Sequence, residues 1–485
     1  MMQGFKILNP YIIQIITIKE KTVYTLIYTC CLGLLCLVAE ILNLRKLLIP
    51  VILAGLAAIF CVNYMDWQHV GPIMIGGMDM AHMMQVDQFT VAFNGLLIGA
   101  AALLFTLSAD FYKDEQHHLS DYLAILIFIL TGAMVLTSFA NLIMLFLGIE
   151  IVSISLYIMA GSRKFDIRSN EAGFKYFLMG SFASAILLFG ITLIYGSSGS
   201  FELSKISEFA ASSGMNSPMF LVGALLMVAA FLFKVAAVPF HFWSPDVYEG
   251  SPSLVTTMMA TLVKVSFFAA FYRLMSGGLL GIHDYTNDIL VIVAAATMIV
   301  GNLIALSQEN FKRLLAYSGI SHAGYMLLAI LSLKSDSSSA LFFYGAAYVL
   351  ATIGAFAVAI PVFKATGKET IDAFDGLGRK KPFLAAMLTM SMLSLAGIPP
   401  LAGFLGKYYI FSEAIKNGYA ILTVLAVLAS IVGVYYYFKV ILAMYTKQGD
   451  DTEIKPTLLY TIVMLVCVGL SLLLGVWPGG LMGIL

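Results

Sequence analysis

Four ionisable residues sit deep inside stretches that are otherwise apolar, and through them this sequence could do chemistry. They are Glu150 in LFLGIEIVSIS, Lys234 in FLFKVAAVPF, Lys264 in TLVKVSFFAA and Lys407 in FLGKYYIF. A charged side chain in the middle of a lipid-spanning helix costs about 2.5–3.5 kcal/mol on insertion scales, so four cost on the order of 10 kcal/mol that Leu or Ala would not. Glu150 and one lysine could serve only to lock two helices together. Buried ion pairs are poor architecture, however, because apolar replacements are often neutral or stabilising. One carboxylate also cannot neutralise three amines. Desolvation weakens a lysine's hold on its proton, and a nearby carboxylate restores it. Arginine could not serve this way, because its guanidinium stays charged. We therefore expect Glu150 to modulate Lys234, and protons to pass through Lys264 toward Lys407.

Two further lysines in apolar runs, Lys175 and Lys439, lie near span ends, where a long side chain reaches the headgroups. His322, in AYSGISHAGY beside Ser318, Ser321 and Tyr325, and His241 are secondary candidates for carrying protons. Imidazole titrates near neutrality, although a hydrogen-bonded packing histidine fits the same residues.

Helix breakers flank two of the lysines. Pro239 follows Lys234 in FLFKVAAVPFHFWSPDVYEGSP, and Pro399 and Pro400 precede Lys407 in LAGIPPLAGFLGKYYIF. Proline removes a backbone donor and clashes with the preceding turn, freeing carbonyls that a membrane tolerates only where they face protein or water. Packing kinks are the alternative explanation. The Lys–Pro order is reversed between the two segments, so it does not by itself argue for a repeat.

The elements that position these groups must be membrane helices. Hydrophobic residues make up 60% of the 485 and charged residues 11%, against about a quarter charged in soluble domains. The net charge is zero, which gives no footing for nucleic acid. The five cysteines, Cys30, Cys31, Cys36, Cys61 and Cys467, lie in apolar runs without a C-x-x-C pair, so no metal or cluster ligand set is expected. The first long apolar run ends at Glu40 instead of a small-residue cleavage site and is expected to be retained.

Taking about 20 apolar residues per span, fourteen are expected near 22–43, 47–65, 89–108, 121–138, 141–160, 172–196, 218–241, 252–275, 288–306, 311–332, 338–363, 382–415, 418–445 and 457–477. A further apolar segment at 7–18 is a candidate for lying in the interface. In alternate connections about fifteen Lys and Arg fall on one side, among them Arg163, Arg168, Lys312 and Arg379, and about seven on the other, among them Lys6 and Lys334. The richer side should be cytoplasmic, which puts both termini on the periplasmic side of a bacterial inner membrane. The whole chain, 1–485, is expected to be one membrane domain: N-terminal helices over 1–120, five-span blocks at 121–275 and 288–445, and a last helix over 457–485. Five is odd, so a repeat of these blocks would be inverted across the membrane.

The stretch FKVAAVPFHFWSPDVYEGSPSLV resembles the antiporter-like subunits of respiratory complex I, the N-type subunits most closely. NEAGFKYFLMGSFASAILLFGITLIYG, ENFKRLLAYSGISHAGY and LSLAGIPPLAGFLGKYYIF support the same likeness, which runs from about Asn141 to Tyr409. The same family resembles subunits of multi-component cation/proton antiporters. The likeness implies fourteen helices, two inverted five-helix repeats with broken helices near Pro239 and Pro399, and a polar axis through the membrane middle. It also implies functional roles for Glu150, Lys234, Lys264 and Lys407. The implied activity is that of a non-redox subunit of NADH:quinone oxidoreductase that transmits a proton step. On this reading FMN, iron–sulfur clusters and quinone belong to partner subunits, no cofactor is expected in this chain, and its neighbours are other membrane-arm subunits, including antiporter-like ones. The sequence ends at WPGGLMGIL without the long lateral helix of the largest antiporter-like subunit, as an N-type chain would. An antiporter subunit and a purely structural scaffold are the alternatives.

Overall fold

Helix-starting side chains stand where the apolar runs begin. Asp87, Asn141, Asp166, Ser217 and Asn310 each accept a hydrogen bond from a backbone N–H of the following first turn, satisfying donors that the helix itself cannot. The computed structural model describes residues 24–42, 45–67, 74–75, 78–80, 82–113, 119–333, 335–449 and 453–483. The segment at 7–18, Lys6 and Lys334 lie outside the described residues.

The helices, numbered in chain order, begin with α1 (Tyr24–Ile41), α2 (Leu48–Trp67), α3 (Gln88–Phe111), α4 (Leu119–Ser138), α5 (Leu142–Ala160) and α6 (Ile167–Ser198). A short α7 (Leu203–Ser212) leads to α8 (Pro218–Lys234) and α9 (Trp243–Gly250). Next come α10 (Ser253–Gly277), α11 (Leu280–Leu306) and α12 (Phe311–Ser332), then α13 (Ser335–Thr366). The chain closes with α14 (Pro382–Ala396), α15 (Ala402–Lys416), α16 (Ala420–Thr446) and α17 (Leu458–Val476). One two-residue β ladder, Met74–Ile75 with Met78–Asp79, precedes α3.

Twelve of these helices are long and apolar enough to cross a membrane, and α8 and α14 are shorter apolar helices. All fourteen expected spans thus have a counterpart, and the chain is an all-helical polytopic membrane protein. Large apolar side chains point outward in number, Phe182, Ile421, Val476 and Tyr435 among them. That pattern would be ruinous in water and suits acyl chains. Inside, α10, α12 and α13 are buried almost along their whole length. Lys264 lies on this inner layer and Lys407 against it.

The breaks are sharper than the sequence suggests. The span expected over 218–241 stops as a helix at Lys234, because Ala236 takes a left-handed φ of 58° and Pro239 follows. The Trp243 indole donates to the Phe233 carbonyl at 3.0 Å. The single span expected over 382–415 is two helices, since two successive prolines cannot continue one. Gly397, at φ 85°, turns the chain. Gly403 lies so close to the end of α14 that a Cβ there would stand 1.8 Å from the Ser394 carbonyl.

Candidate functional site

The three buried amines are held by neutral groups. Lys234, the last residue of α8, donates to Ser153 Oγ at 2.9 Å and to Ser184 Oγ at 3.4 Å. Lys264 donates to the Gly319 carbonyl at 2.7 Å and lies 6.0 Å from the centre of the Tyr348 ring. Lys407 donates to the Ala396 carbonyl and to Ser430 Oγ, each at 2.8 Å, with the Tyr325 ring 5.5 Å away. All three are less than a tenth exposed. Among the described residues, none forms an ion pair.

Equally buried cations elsewhere are treated differently. Arg273 is paired with Asp87 at 2.7 Å, and Lys312 with Glu369 at 2.8 Å. Lys312, expected in a loop, is buried at the start of α12. Lys175, two-fifths exposed, bridges Glu171 and Asp246 at 2.7 and 3.0 Å. Lys439 donates to the Gln308 carbonyl at 3.0 Å. A carboxylate at contact distance fixes a cation in its charged form. Hydroxyls, carbonyls and ring faces welcome an ammonium yet leave it free to lose its proton.

Glu150 lies on α5 one turn before Ser153, so both face Lys234. One of its carboxylate oxygens, Oε1, is buried without a hydrogen-bond partner among the described residues.

Between Lys264 and Lys407 the inner face of α12 supplies a polar strip. His322, one turn beyond Gly319, meets the Tyr344 hydroxyl through Nδ1 and the Tyr437 hydroxyl through Nε2, the latter at 3.0 Å. Ser318 also meets Tyr437, and Tyr325 accepts from Asn302 Nδ2 at 3.0 Å. The structure therefore brings His322 into the line of lysines. His241 stands apart: it is buried just past the first break, its Nδ1 has no partner, and it shares no hydrogen bond with the other candidates.

The reversed order of lysine and proline is resolved in space. Lys234 ends α8, whereas Lys407 on α15 reaches back to the carbonyl that ends α14. Both lysines are thus associated with the C-terminal end of the leading half-helix, Lys234 as its last residue and Lys407 through its bond to the last carbonyl, where the helix dipole favours positive charge.

Residues 138–433 match the family described as NADH:quinone oxidoreductase/Mrp antiporter, TM. Over 455 residues the chain is 46% identical to NADH-quinone oxidoreductase subunit N of Flavobacterium psychrophilum, covering 94% of this chain and 98% of that one. The chain belongs to the NADH-quinone oxidoreductase subunit N family. It superposes on a chain of respiratory complex I from Thermus thermophilus with a TM-score of 0.80 and 32% identity, covering 95% of this chain and 98% of that one. A chain of the Mrp complex from Dietzia sp. DQ12-45-1b matches with a TM-score of 0.80 at 20% identity, covering 95% of each chain, which shows a shared fold alone. The four candidate groups of this subunit N family member all fall inside the matched family span.

The sequence pointed to the amines and missed what holds them. Ser153, Ser184 and Ser430 are isolated polar positions in apolar runs, with only another serine near Ser153 and Ser184, and Tyr344, Tyr348 and Tyr437 read as core aromatics. The only available signal was their lying one or two turns from an ionisable residue, which applies to Ser153 alone.

Proposed function

We propose that this chain is a proton-translocating subunit of the membrane arm of respiratory complex I. In it Glu150, Lys234, Lys264, His322 and Lys407 pass charge along the membrane middle. The observation that carries this reading is the set of neutral acceptors around all three lysines. When Glu150 loses influence on Lys234, the amine can give up its proton. The resulting change in field is felt next at Lys264 and then, through the His322 and tyrosine strip, at Lys407. The energy comes from electron transfer in neighbouring subunits, which would carry the FMN, iron–sulfur clusters and quinone. Partners would be those subunits and the other antiporter-like chains alongside.

Local geometry supports two related halves. Asn141 caps α5 and bridges to Glu202 after α6, and Asn310 caps α12 and bridges to Thr370 after α13. The helices α6 and α13 are both 32 residues long. Counted from the capping asparagines, Gly319 takes the place of Glu150, and His322 that of Ser153. Only the first half therefore carries the modulating carboxylate. The face bearing Arg163, Lys312 and Arg379 would be cytoplasmic, with both termini periplasmic.

The cation/proton antiporter reading is weaker, since that likeness falls to 20% identity. Proton uptake by inverted membrane vesicles, measured per NADH oxidised, tests the proposal. Lys234→Ala and Lys264→Ala should each cut uptake severely in fully assembled complex. Unchanged uptake in both would refute the relay.

A further inference from the structure

A cavity of about 860 Å³ lies beside the buried helix α13, between α2 and α3 on one side and α13 and α17 on the other. Apart from Asn63, Tyr64 and Trp67, the described residues of its wall carry no polar side chain. The Asn63 amide is already spent, donating to the Val91 carbonyl at 2.9 Å. An occupant therefore needs no hydrogen-bonding group, and water does not favour such a space.

The cavity is one leaflet deep. Its wall runs over 60–67 of α2, 91–103 of α3, 342–350 of α13 and 466–474 of α17, all in the halves nearest Trp67 and away from Lys312. At helical rise these stretches span about 10–18 Å, against about 15 Å for half of a hydrocarbon core. Deeper in the membrane Phe105, Phe356 and Met464 are buried, where α3, α13 and α17 close on one another. A spanning helix of a partner would need a groove through both leaflets, which this is not. Tyr64 and Trp67 stand at the outer end, the level at which amphipathic rings anchor against headgroups. Gly95 and Gly99 on α3 are spaced as in a helix-pairing motif, yet a Cβ on Gly99 would meet no neighbouring atom within 4 Å. Glycine in a helix interior is destabilising relative to alanine, so this open strip answers to something other than a neighbouring helix of the chain.

We propose that this cavity binds one acyl chain of a phospholipid from the leaflet on the Trp67 side, with the headgroup at the level of Tyr64 and Trp67. The chain lies along Gly95 and Gly99 and against Phe342, Ala346 and Val349 of α13. Tyr344 and Tyr348, on the opposite face of that helix, meet His322 and face Lys264. The lipid thus backs the helix that carries part of the polar strip, without touching any group in the strip. The binding site stands whether or not the lysines move protons.

The test uses the whole complex, reconstituted with a phosphatidylcholine that carries a photoactivatable diazirine in one acyl chain, then returned to detergent to strip loosely held lipid. Irradiation followed by peptide mapping should find label on 91–103 and 466–474, while outward-facing Phe182 on α6 and Ile421 on α16 carry only background. Gly99→Leu puts a side chain into the open strip and displaces about two methylenes of the lipid chain, which should lower the labelling about tenfold. Labelling of the cavity no stronger than that at Phe182 and Ile421 overturns the site, and so does undiminished labelling in Gly99→Leu. If Gly99→Leu does not assemble, Leu470→Phe narrows the cavity from α17 and should also lower the labelling; undiminished labelling there overturns the site.

Discussion

Lys407 donates to the Ala396 carbonyl across the second helix break, so the amine on one half-helix caps the end of the other. Gly397 makes this contact possible. Its φ of 85° is a left-handed conformation, and a Cβ there would stand 2.9 Å from Lys407 Cδ. Gly397→Ala should cost about 1–2 kcal/mol from backbone strain and displace the lysine stem. We expect proton transport per electron to fall by up to roughly tenfold, measured in vesicles alongside NADH oxidation.

The two hydroxyls on Lys234 are unequal. Ser153 accepts at 2.9 Å and Ser184 at 3.4 Å, and a hydrogen bond to a charged partner contributes about 1.5–3 kcal/mol at good geometry. Ser153→Ala should therefore impair proton transport more than Ser184→Ala. Ranking the two variants by initial transport rate checks the order, and the reverse order would mean that Ser184 holds the working amine.

Asp87 and Arg273 form a structural pair instead. Burial pushes the Asp87 carboxyl up, but the charge and hydrogen bond of Arg273, with the Thr90 bonds, outweigh it and leave the group below its ordinary value. A depressed carboxyl contributes stability fully above its unfolded value of about 3.9 and loses it as pH falls through the lower folded value. Since Asp87 is a third exposed, Asp87→Asn should cost about 1–3 kcal/mol at neutral pH. The gap from the parent should close below about pH 4. Thermal unfolding of the detergent-solubilised complex across pH measures this, and the protons moved per electron should not change.

Much of this architecture was legible before any coordinates. Ionisable residues in oily runs announce themselves, so Glu150, Lys234, Lys264 and Lys407 could be named from insertion cost alone. The span count followed from run length. Break geometry was less legible: 382–415 reads as one apolar run because hydropathy is blind to two adjacent prolines that split it into α14 and α15. Lys312 reads as a loop charge because it starts a helix, and only the fold brings Glu369 to it. Tyr344 and Tyr437 come from α13 and α16 to meet His322 on α12, and nothing local in those segments marks them.

The central claim is that the buried lysines change protonation during turnover instead of merely carrying charge. Lys264→Arg tests it most directly, since arginine keeps the positive charge and can still bond to the Gly319 carbonyl but cannot release a proton. In the assembled complex, measured in proteoliposomes, proton transport per NADH oxidised should drop as far in Lys264→Arg as in Lys264→Ala. A Lys264→Arg complex that transports at the parent ratio would contradict the account.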